Sequence, residues 1–458
     1  MLTINLNKGG KPLYEQIYSH IKNEINAGNL PAGTKLPSTR ALSSHLSVSR
    51  NTVQMSYDQL LSEGYIDSKD RSGYIVSQIT GSQKAKISQV KPAYKKATPS
   101  SPYKYDFSPF ALDTGSFPYA SWQRLNRRLL SERGSDLFLL GDRQGEYELR
   151  QAIAGYLAGF RGFNVSPDNI IICAGADYSF QLLIQLLSVP SAIAMENPCY
   201  MQAYRIFKGF GADIVPIPVT PSGHDLSGLE KSNAAAVYVT PSHQYPLGVI
   251  MSASKRKDLL DIAAKTGKYI IEDDHDSEFR YKGRLIPALK ELDENDRVIY
   301  LGTFSRTIAP AIRAGYMVLP DSLLEVYKSR FSHYASTVSR IDQLILAAFI
   351  NEGSYERHLN RTRKLYRAKH DILINAIKEA GSNLRILDED AGLFVTVSFP
   401  DIKNEKDIAA SALNKGIRLY GISEFLFEKS DLPVSFAFGF AGLSESDIKD
   451  GIRLLFGS

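Results

Sequence analysis

Cysteine is nearly absent from this 458-residue chain. The two that occur, Cys173 and Cys199, have no cysteine or histidine at ligand spacing around them, which excludes a disulfide framework and argues against a zinc centre or any other metal. Long apolar runs are also missing. The most apolar stretch, residues 182–195, is interrupted by Pro190 and is shorter than the ~20 residues a bilayer-spanning helix needs. The first eight residues lack the apolar core of a secretory signal. No membrane partner is expected, and a reducing, cytoplasmic location fits all three absences. Acidic residues are absent from 79–104, where Lys84, Lys86, Lys91, Lys95, Lys96 and Lys104 lie among Ser, Pro, Gln and Ala. Such a segment repels itself and buries little, so 79–105 reads as a basic, flexible linker.

What is present is unevenly charged. Residues 1–105 carry 14 Lys/Arg against 6 Asp/Glu, a net of +8, and the remaining residues come to −3. A basic front on a faintly acidic body points to a polyanion partner for the front alone. Within the front, Leu13, Ile17, Ile21 and Ile25 recur at helical spacing, and a turn rich in Pro31, Gly33, Lys35 and Pro37 follows. Two short helical patterns, 38–46 and 50–63, are separated only by Ser47-Val48-Ser49, with Ser38 opening the first and Ser49 placed as N-cap of the second. Val53, Tyr57 and Leu60 give the second helix a buried face. Arg50, Asn51 and Thr52 then stand at its exposed start, the arrangement that reads a major groove. Residues 65–67 and 74–76 can pair as a hairpin around Arg71-Ser72-Gly73, a wing able to reach the DNA backbone.

From about residue 106 short apolar runs (170–173, 192–195, 235–239, 269–271, 298–301 and 315–319) alternate with helical patterns. This is the pattern of a mostly parallel α/β sheet, whose sites lie at the carboxyl ends of its strands. From about residue 340 a long helical region leads into runs at 393–398 and 434–438, consistent with a smaller α+β part.

Leu36-Pro37-Ser38-Thr39-Arg40-Ala41-Leu42, Val48-Ser49-Arg50-Asn51-Thr52-Val53 and Tyr57-Asp-Gln-Leu60-Leu61-Ser-Glu63-Gly64 resemble the winged helix-turn-helix of the GntR family over about 10–78. Six motifs in register over 106–458 resemble the fold-type I aminotransferase-like domain of MocR/GabR-type regulators. They are Gly141-Asp-Arg-Gln-Gly145, Ala174-Gly-Ala176-Asp177, Glu196-Asn-Pro-Cys-Tyr200, Thr240-Pro-Ser-His243-Gln-Tyr-Pro-Leu-Gly248, Glu272-Asp273-Asp-His275-Asp-Ser-Glu-Phe-Arg-Tyr281, and the segment Tyr300 to Tyr316 around Arg306. The resemblance implies a double-stranded DNA operator, a small-molecule effector that is PLP or an amino-acid-related ligand, and a head-to-tail homodimer. It implies DNA contacts at Lys35, Ser38, Arg40, Ser49, Arg50, Asn51, Thr52, Arg71, Ser72 and Gly73.

It also implies a site for pyridoxal 5'-phosphate (PLP). Ala176, Asp177, Ser305 and Arg313 would hold the phosphate, Tyr200 would stack on the ring and Asp273 would face the ring nitrogen, with His243 and His275 beside them. Three positions depart from the family. Arg306 stands where the cofactor's Schiff-base lysine is found, and a guanidinium stays protonated and does not form that bond. His275 replaces a tyrosine, and Ala437 falls where a substrate-gripping arginine is common. The resemblance therefore implies a sensor without catalysis, with PLP bound non-covalently if at all. The alternatives are a regulator with residual PLP binding and a working aminotransferase fused to a DNA-binding module.

Overall fold

The computed structural model describes residues 4–7, 10–69, 73–78, 102–188, 192–381 and 383–457. It divides into two compact units, 1–99 and 100–458. The linker reading at 79–105 and the wing residues Arg71 and Ser72 fall largely or wholly outside the described residues.

The first unit contains α1 (Leu13–Asn26), α2 (Thr39–Leu46), α3 (Arg50–Ser62), β1 (Ile66–Lys69) and β2 (Gly73–Val76). Its core is Ile17, Ile21, Leu36, Leu42, Val53, Tyr57, Leu60 and Ile66, so the four-residue spacing on α1 marks its buried stripe. β1 and β2 pair antiparallel from Ile66↔Val76 to Lys69↔Gly73, and Lys35 adds a bridge to Ile75 on the other side of β2.

The second unit opens with β3 (Tyr105–Asp106), α4 (Tyr119–Arg133), α5 (Tyr147–Phe160), β4 (Ile170–Cys173) and α6 (Ala176–Leu186). It continues through β5 (Ala192–Asn197), α7 (Met201–Gly209), β6 (Asp213–Thr220), β7 (Gly223–His224), β8 (Ala234–Val239), α8 (Ala253–Thr266) and β9 (Tyr269–Asp274). Next come β10 (Val298–Thr303), β11 (Gly315–Val318), α9 (Asp321–Arg330), α10 (Arg340–Asn351) and α11 (Ser354–Ala380). The last elements are β12 (Arg385–Ile386), β13 (Phe394–Ser398), α12 (Glu405–Asn414), β14 (Ile417–Arg418), β15 (Tyr420–Gly421), β16 (Ser435–Gly439) and α13 (Glu445–Phe456).

The large sheet runs β4-β11-β10-β9-β8-β5-β6-β7. The run from β10 to β6 is parallel, while β11 is antiparallel to both its neighbours and β7 closes a short antiparallel hairpin with β6. Buried apolar clusters cover both sides of this sheet, which is why its strands read as continuous apolar runs.

Two features differ from the sequence reading. β6 is absent from the apolar-run count because Pro216 and Pro218 interrupt it. It is a strand nonetheless because its outer side meets β7 only at Val219 and Thr220, so the missing proline N–H groups leave no ladder bond unmade there. The smaller part does not begin at 340. α10 and the start of α11, through Tyr355 and Leu359, pack in the core of the large sheet, whereas Tyr366, Leu373 and Ile377 pack with β13 and β16. β3, from the start of the unit, pairs with β14 and buries Tyr105 and Phe107 in that same smaller core.

Candidate functional site

In the first unit, the turn between α2 and α3 is fixed by three serines. Ser38 caps α2 by accepting from the Ala41 N–H at 3.1 Å, Ser47 takes the left-handed conformation that ends α2, and Ser49 caps α3 by accepting from the Thr52 N–H at 3.1 Å. The Ser49 and Thr52 hydroxyls also share a 2.8 Å hydrogen bond. Ser38 and Ser49 therefore shape the helix starts. Lys35, Arg40, Arg50, Asn51 and Gly73 are exposed and Thr52 is half-buried. The Arg50 Nε lies 3.5 Å from the Thr39 hydroxyl, which rests its guanidinium near the start of α2. None of Lys35, Arg40 and Arg50 forms an ion pair among the described residues, so each keeps its charge available to a phosphate.

In the second unit a cavity of about 480 Å³ opens at the carboxyl ends of β8, β9 and β10. Eight of the nine residues singled out for an effector line it: Ala176, Asp177, Tyr200, Asp273, His275, Ser305, Arg306 and Arg313. His243 does not. It is buried beside the cavity, its Nδ1 at 3.0 Å from Asp276 and its ring 4.8 Å from that of Phe394. Ala437 also stays out of the lining and packs under it with Tyr245 and Phe394.

Around the start of α6 the cavity gathers groups suited to an anion. α6 starts at Ala176, and its first-turn N–H groups have no acceptor within the helix. Gly175 precedes it at φ +78°, where an added Cβ would lie 2.9 Å from the Arg313 guanidinium, so the close approach of this cation requires glycine. Arg313 donates to Asp177 at 3.1 Å, and the Ser305 hydroxyl is buried with no partner. On the floor, Asp273 accepts a 2.6 Å hydrogen bond from the Tyr238 hydroxyl. Burial, with the neighbouring Asp274 and Asp276, raises its pKa above the usual carboxylate range despite His275 and that hydrogen bond.

The other end is formed by Arg306, Tyr245 and His275, with Phe110 and Tyr420 contributed from afar. Arg306 is half-buried and donates through Nη2 to the Pro109 carbonyl at 3.0 Å, while its Nε is buried without a partner. The Tyr245 hydroxyl and the His275 Nε2 are likewise buried without a hydrogen bond. No lysine is among the lining residues. His243, His275 and Asp276 have ligand atoms within 4.8 Å of one another, residue types suited to a metal ion. The positive charge of Arg306 acts on both His243 and Asp276, which works against a divalent cation there. Burial works against the Asp276 charge, but His243, His275 and Arg306 together hold its pKa well below the usual range.

Sequence reasoning missed Tyr238, Phe110, Tyr420 and Glu424, which also line the cavity. Tyr245 lies inside the motif that contains His243, two positions beyond it. Phe110, Tyr420 and Glu424 come from segments with no local signal. Also unforeseen is the buried network beneath β9. Asp274 is paired with Arg161 at 2.8 Å and accepts from the Tyr300 hydroxyl, Tyr156 donates to Glu278 at 2.9 Å, and burial pushes Glu272 and Glu278 each up to about 7.

Residues 13–76 match the bacterial regulatory proteins of the gntR family, and residues 110–455 match the aminotransferase class I and II family. The uncharacterized HTH-type transcriptional regulator YdeL of Bacillus subtilis is 39% identical over 446 residues, 97% of this chain and 96% of that protein. The probable rhizopine catabolism regulatory protein MocR of Rhizobium meliloti is 32% identical, over 97% of this chain and 93% of its own length. Among solved structures, a kynurenine aminotransferase from Pyrococcus horikoshii superposes on the fold with a TM-score of 0.70 at 24% identity, covering 78% of this chain and 91% of that one.

Proposed function

The chain belongs to the MocR-type, gntR-family HTH transcriptional regulators that carry an aminotransferase class I and II domain, and from that premise we propose that it senses a phosphorylated pyridine-ring effector non-covalently and without turning it over. The observation that carries this reading is the cavity itself, which keeps an anion cradle and a ring-facing carboxylate but has no lysine in its lining. Pyridoxal phosphate, the group implied by the fold, supplies an aldehyde and an electron-withdrawing ring when bound. The residues fit its phosphate and ring: an unpartnered Ser305 hydroxyl, the α6 N-terminus and Arg313 take the phosphate, Asp273 accepts from a protonated ring nitrogen, and Tyr200 covers a face. They do not fit its covalent attachment, because the group at 306 is a permanent cation.

The DNA half of the function rests on α3, whose capped start presents Arg50 and Asn51 to solvent beside Arg40 and Lys35. A homodimer suits this arrangement, since two modest DNA contacts become specific when linked. The surface offered for it in the second unit is the run Phe138, Leu139 and Leu140, exposed at 72%, 65% and 86%, an apolar patch that a second copy would cover. No helix among the described residues is long and apolar enough to cross a membrane, in keeping with a regulator that works on DNA in the cytoplasm. The test is to incubate the full-length protein with PLP, then treat it with borohydride and dialyse. Saturable binding by calorimetry that dialysis reverses, with no adduct by mass spectrometry, supports the reading. A borohydride-stable adduct on a residue of this cavity overturns it.

A further inference from the structure

The cavity has a second polar end that the phosphate cradle does not use. Arg306 and Tyr245 each bring to it a buried polar atom with no hydrogen-bond partner, and His275 stands beside them with its Nε2 3.4 Å from Asp276. A buried polar atom left unpaired costs free energy, so several converging on one cavity mark the place of a ligand group. These atoms define what that group is. The guanidinium only donates, and the Tyr245 hydroxyl, which can donate or accept, is kept protonated because burial raises its pKa well above the ordinary phenol value. The missing partner is therefore rich in acceptors.

Charge narrows it further. Arg313 is already paired with Asp177, whereas Arg306 makes no direct ion pair among the described residues and acts on Asp276 only from a distance, so its donor fork is open to a ligand anion. Arg306 is tethered to Pro109 and stands near Phe110 and Tyr245, whereas Arg313 is tethered to the start of α6 and the third lining cation, Arg205, is exposed on α7, so Arg306 and Arg313 serve different parts of a ligand. A second phosphate would bring two charges to one guanidinium beside Asp273 and Glu424, which also line the cavity. A planar carboxylate brings one charge and two acceptor oxygens that match the guanidinium fork. An amine would be repelled, and an aldehyde offers a single neutral acceptor.

We propose that the Arg306 end is a carboxylate subsite, and that the effector is a phosphorylated ring whose substituent facing residue 306 is a carboxylate, not an aldehyde or an amine. This rests on the reading above that the cavity takes a phosphorylated pyridine ring. The experiment is isothermal titration of the full-length protein with three ring phosphates that differ only at that substituent: the aldehyde (PLP), the amine (pyridoxamine phosphate) and the carboxylate (4-pyridoxic acid 5'-phosphate). Wild type is expected to bind the carboxylate on the order of tenfold or more tighter than the aldehyde, the scale of one added charge-assisted hydrogen bond, and the amine weakest.

Arg306→Met is expected to lose the preference for the carboxylate, so that the carboxylate and aldehyde affinities come within about threefold of each other. The wild-type order stands as a test even if that variant does not fold, and Arg306→Gln provides a second variant. Equal affinity of wild type for all three compounds overturns the carboxylate subsite and leaves the phosphate-binding cavity standing. A carboxylate preference that survives in folded Arg306→Met and Arg306→Gln overturns the assignment to Arg306. Failure of wild type to bind any of the three overturns the subsite together with the reading beneath it.

Discussion

Arg50→Ala is the sharpest perturbation of the DNA-binding half. The side chain is exposed, forms no ion pair among the described residues, and its single recorded hydrogen bond is the 3.5 Å approach of Nε to the Thr39 hydroxyl. Its removal costs only the long 3.5 Å contact to the buried Thr39 hydroxyl, so the winged helix should lose no more than about 1 kcal/mol of stability. Any loss of operator binding is then a loss of contact. If Arg50 reads a base edge, each half-site loses roughly 1–3 kcal/mol, and a dimer on two half-sites roughly twice that, with the salt dependence unchanged. If it holds a phosphate, affinity falls on every sequence and the slope of log K against log salt drops by about 0.9 per protomer. Fluorescence anisotropy with a native promoter fragment and a scrambled duplex, titrated between 50 and 200 mM salt, separates the two. Unchanged affinity and unchanged slope on both duplexes would refute the placement of α3 in the groove.

The remaining predictions concern the second unit. Arg306→Lys should allow covalent capture of PLP, detected as a borohydride-stable adduct at residue 306, without transamination, because His275 and Ala437 stay as they are; absence of the adduct would mean that Tyr200 and Asp273 do not frame the ring. Glu278→Gln should raise the thermal midpoint at pH 8 and leave it nearly unchanged at pH 4.5. Burial and the nearby Asp274 raise the folded pKa from 4.5 to about 7, so wild-type stability is full below pH 4.5 and declines as pH rises through 7, by at most about 3 kcal/mol at 1.36 kcal/mol per pH unit. A variant less stable than wild type at pH 8 contradicts that sign. Leu140→Asp should shift the protein toward monomer in sedimentation velocity, since a charge in a buried apolar interface is costly; an unaltered dimer would place the interface elsewhere.

The parts legible in the sequence are those where one element meets the core along its whole length. The spacing of Ile17, Ile21 and Ile25 gives the buried stripe of α1, and Ser38 and Ser49 mark the helix starts because a capping side chain acts on N–H groups three residues away. The apolar runs at β4, β8 and β10 are continuous because both their faces are covered. Direction and order are not encoded in such runs, so the insertion of antiparallel β11 between β4 and β10 could not be read. The division of α11 between two cores was hidden for a similar reason, because its amphipathic pattern continues unbroken while the partner it packs against changes. In the site, residues on strand ends were recognisable as motifs. Phe110, Tyr420 and Glu424 were not, because they reach the cavity only through folding of segments more than three hundred positions apart.

The exchange at 306 separates two properties that a lysine combines. A lysine amine in such a cavity carries charge when protonated and becomes a nucleophile when burial and neighbouring cations lower its pKa. Arginine keeps the first property and abolishes the second. The phosphate cradle is indifferent to the change, since it draws on backbone N–H groups, the Ser305 hydroxyl and Arg313. Residue 306 is therefore a fixed positive charge where a lysine would titrate, whereas Asp273 on the cavity floor is a carboxyl whose pKa is raised. On the proposed reading, binding rests on groups whose charge or hydrogen-bonding capacity is permanent, and residue 306 offers no group whose reactivity depends on losing a proton. That composition suits the proposed receptor for a phosphorylated ring and does not suit chemistry that needs a neutral amine.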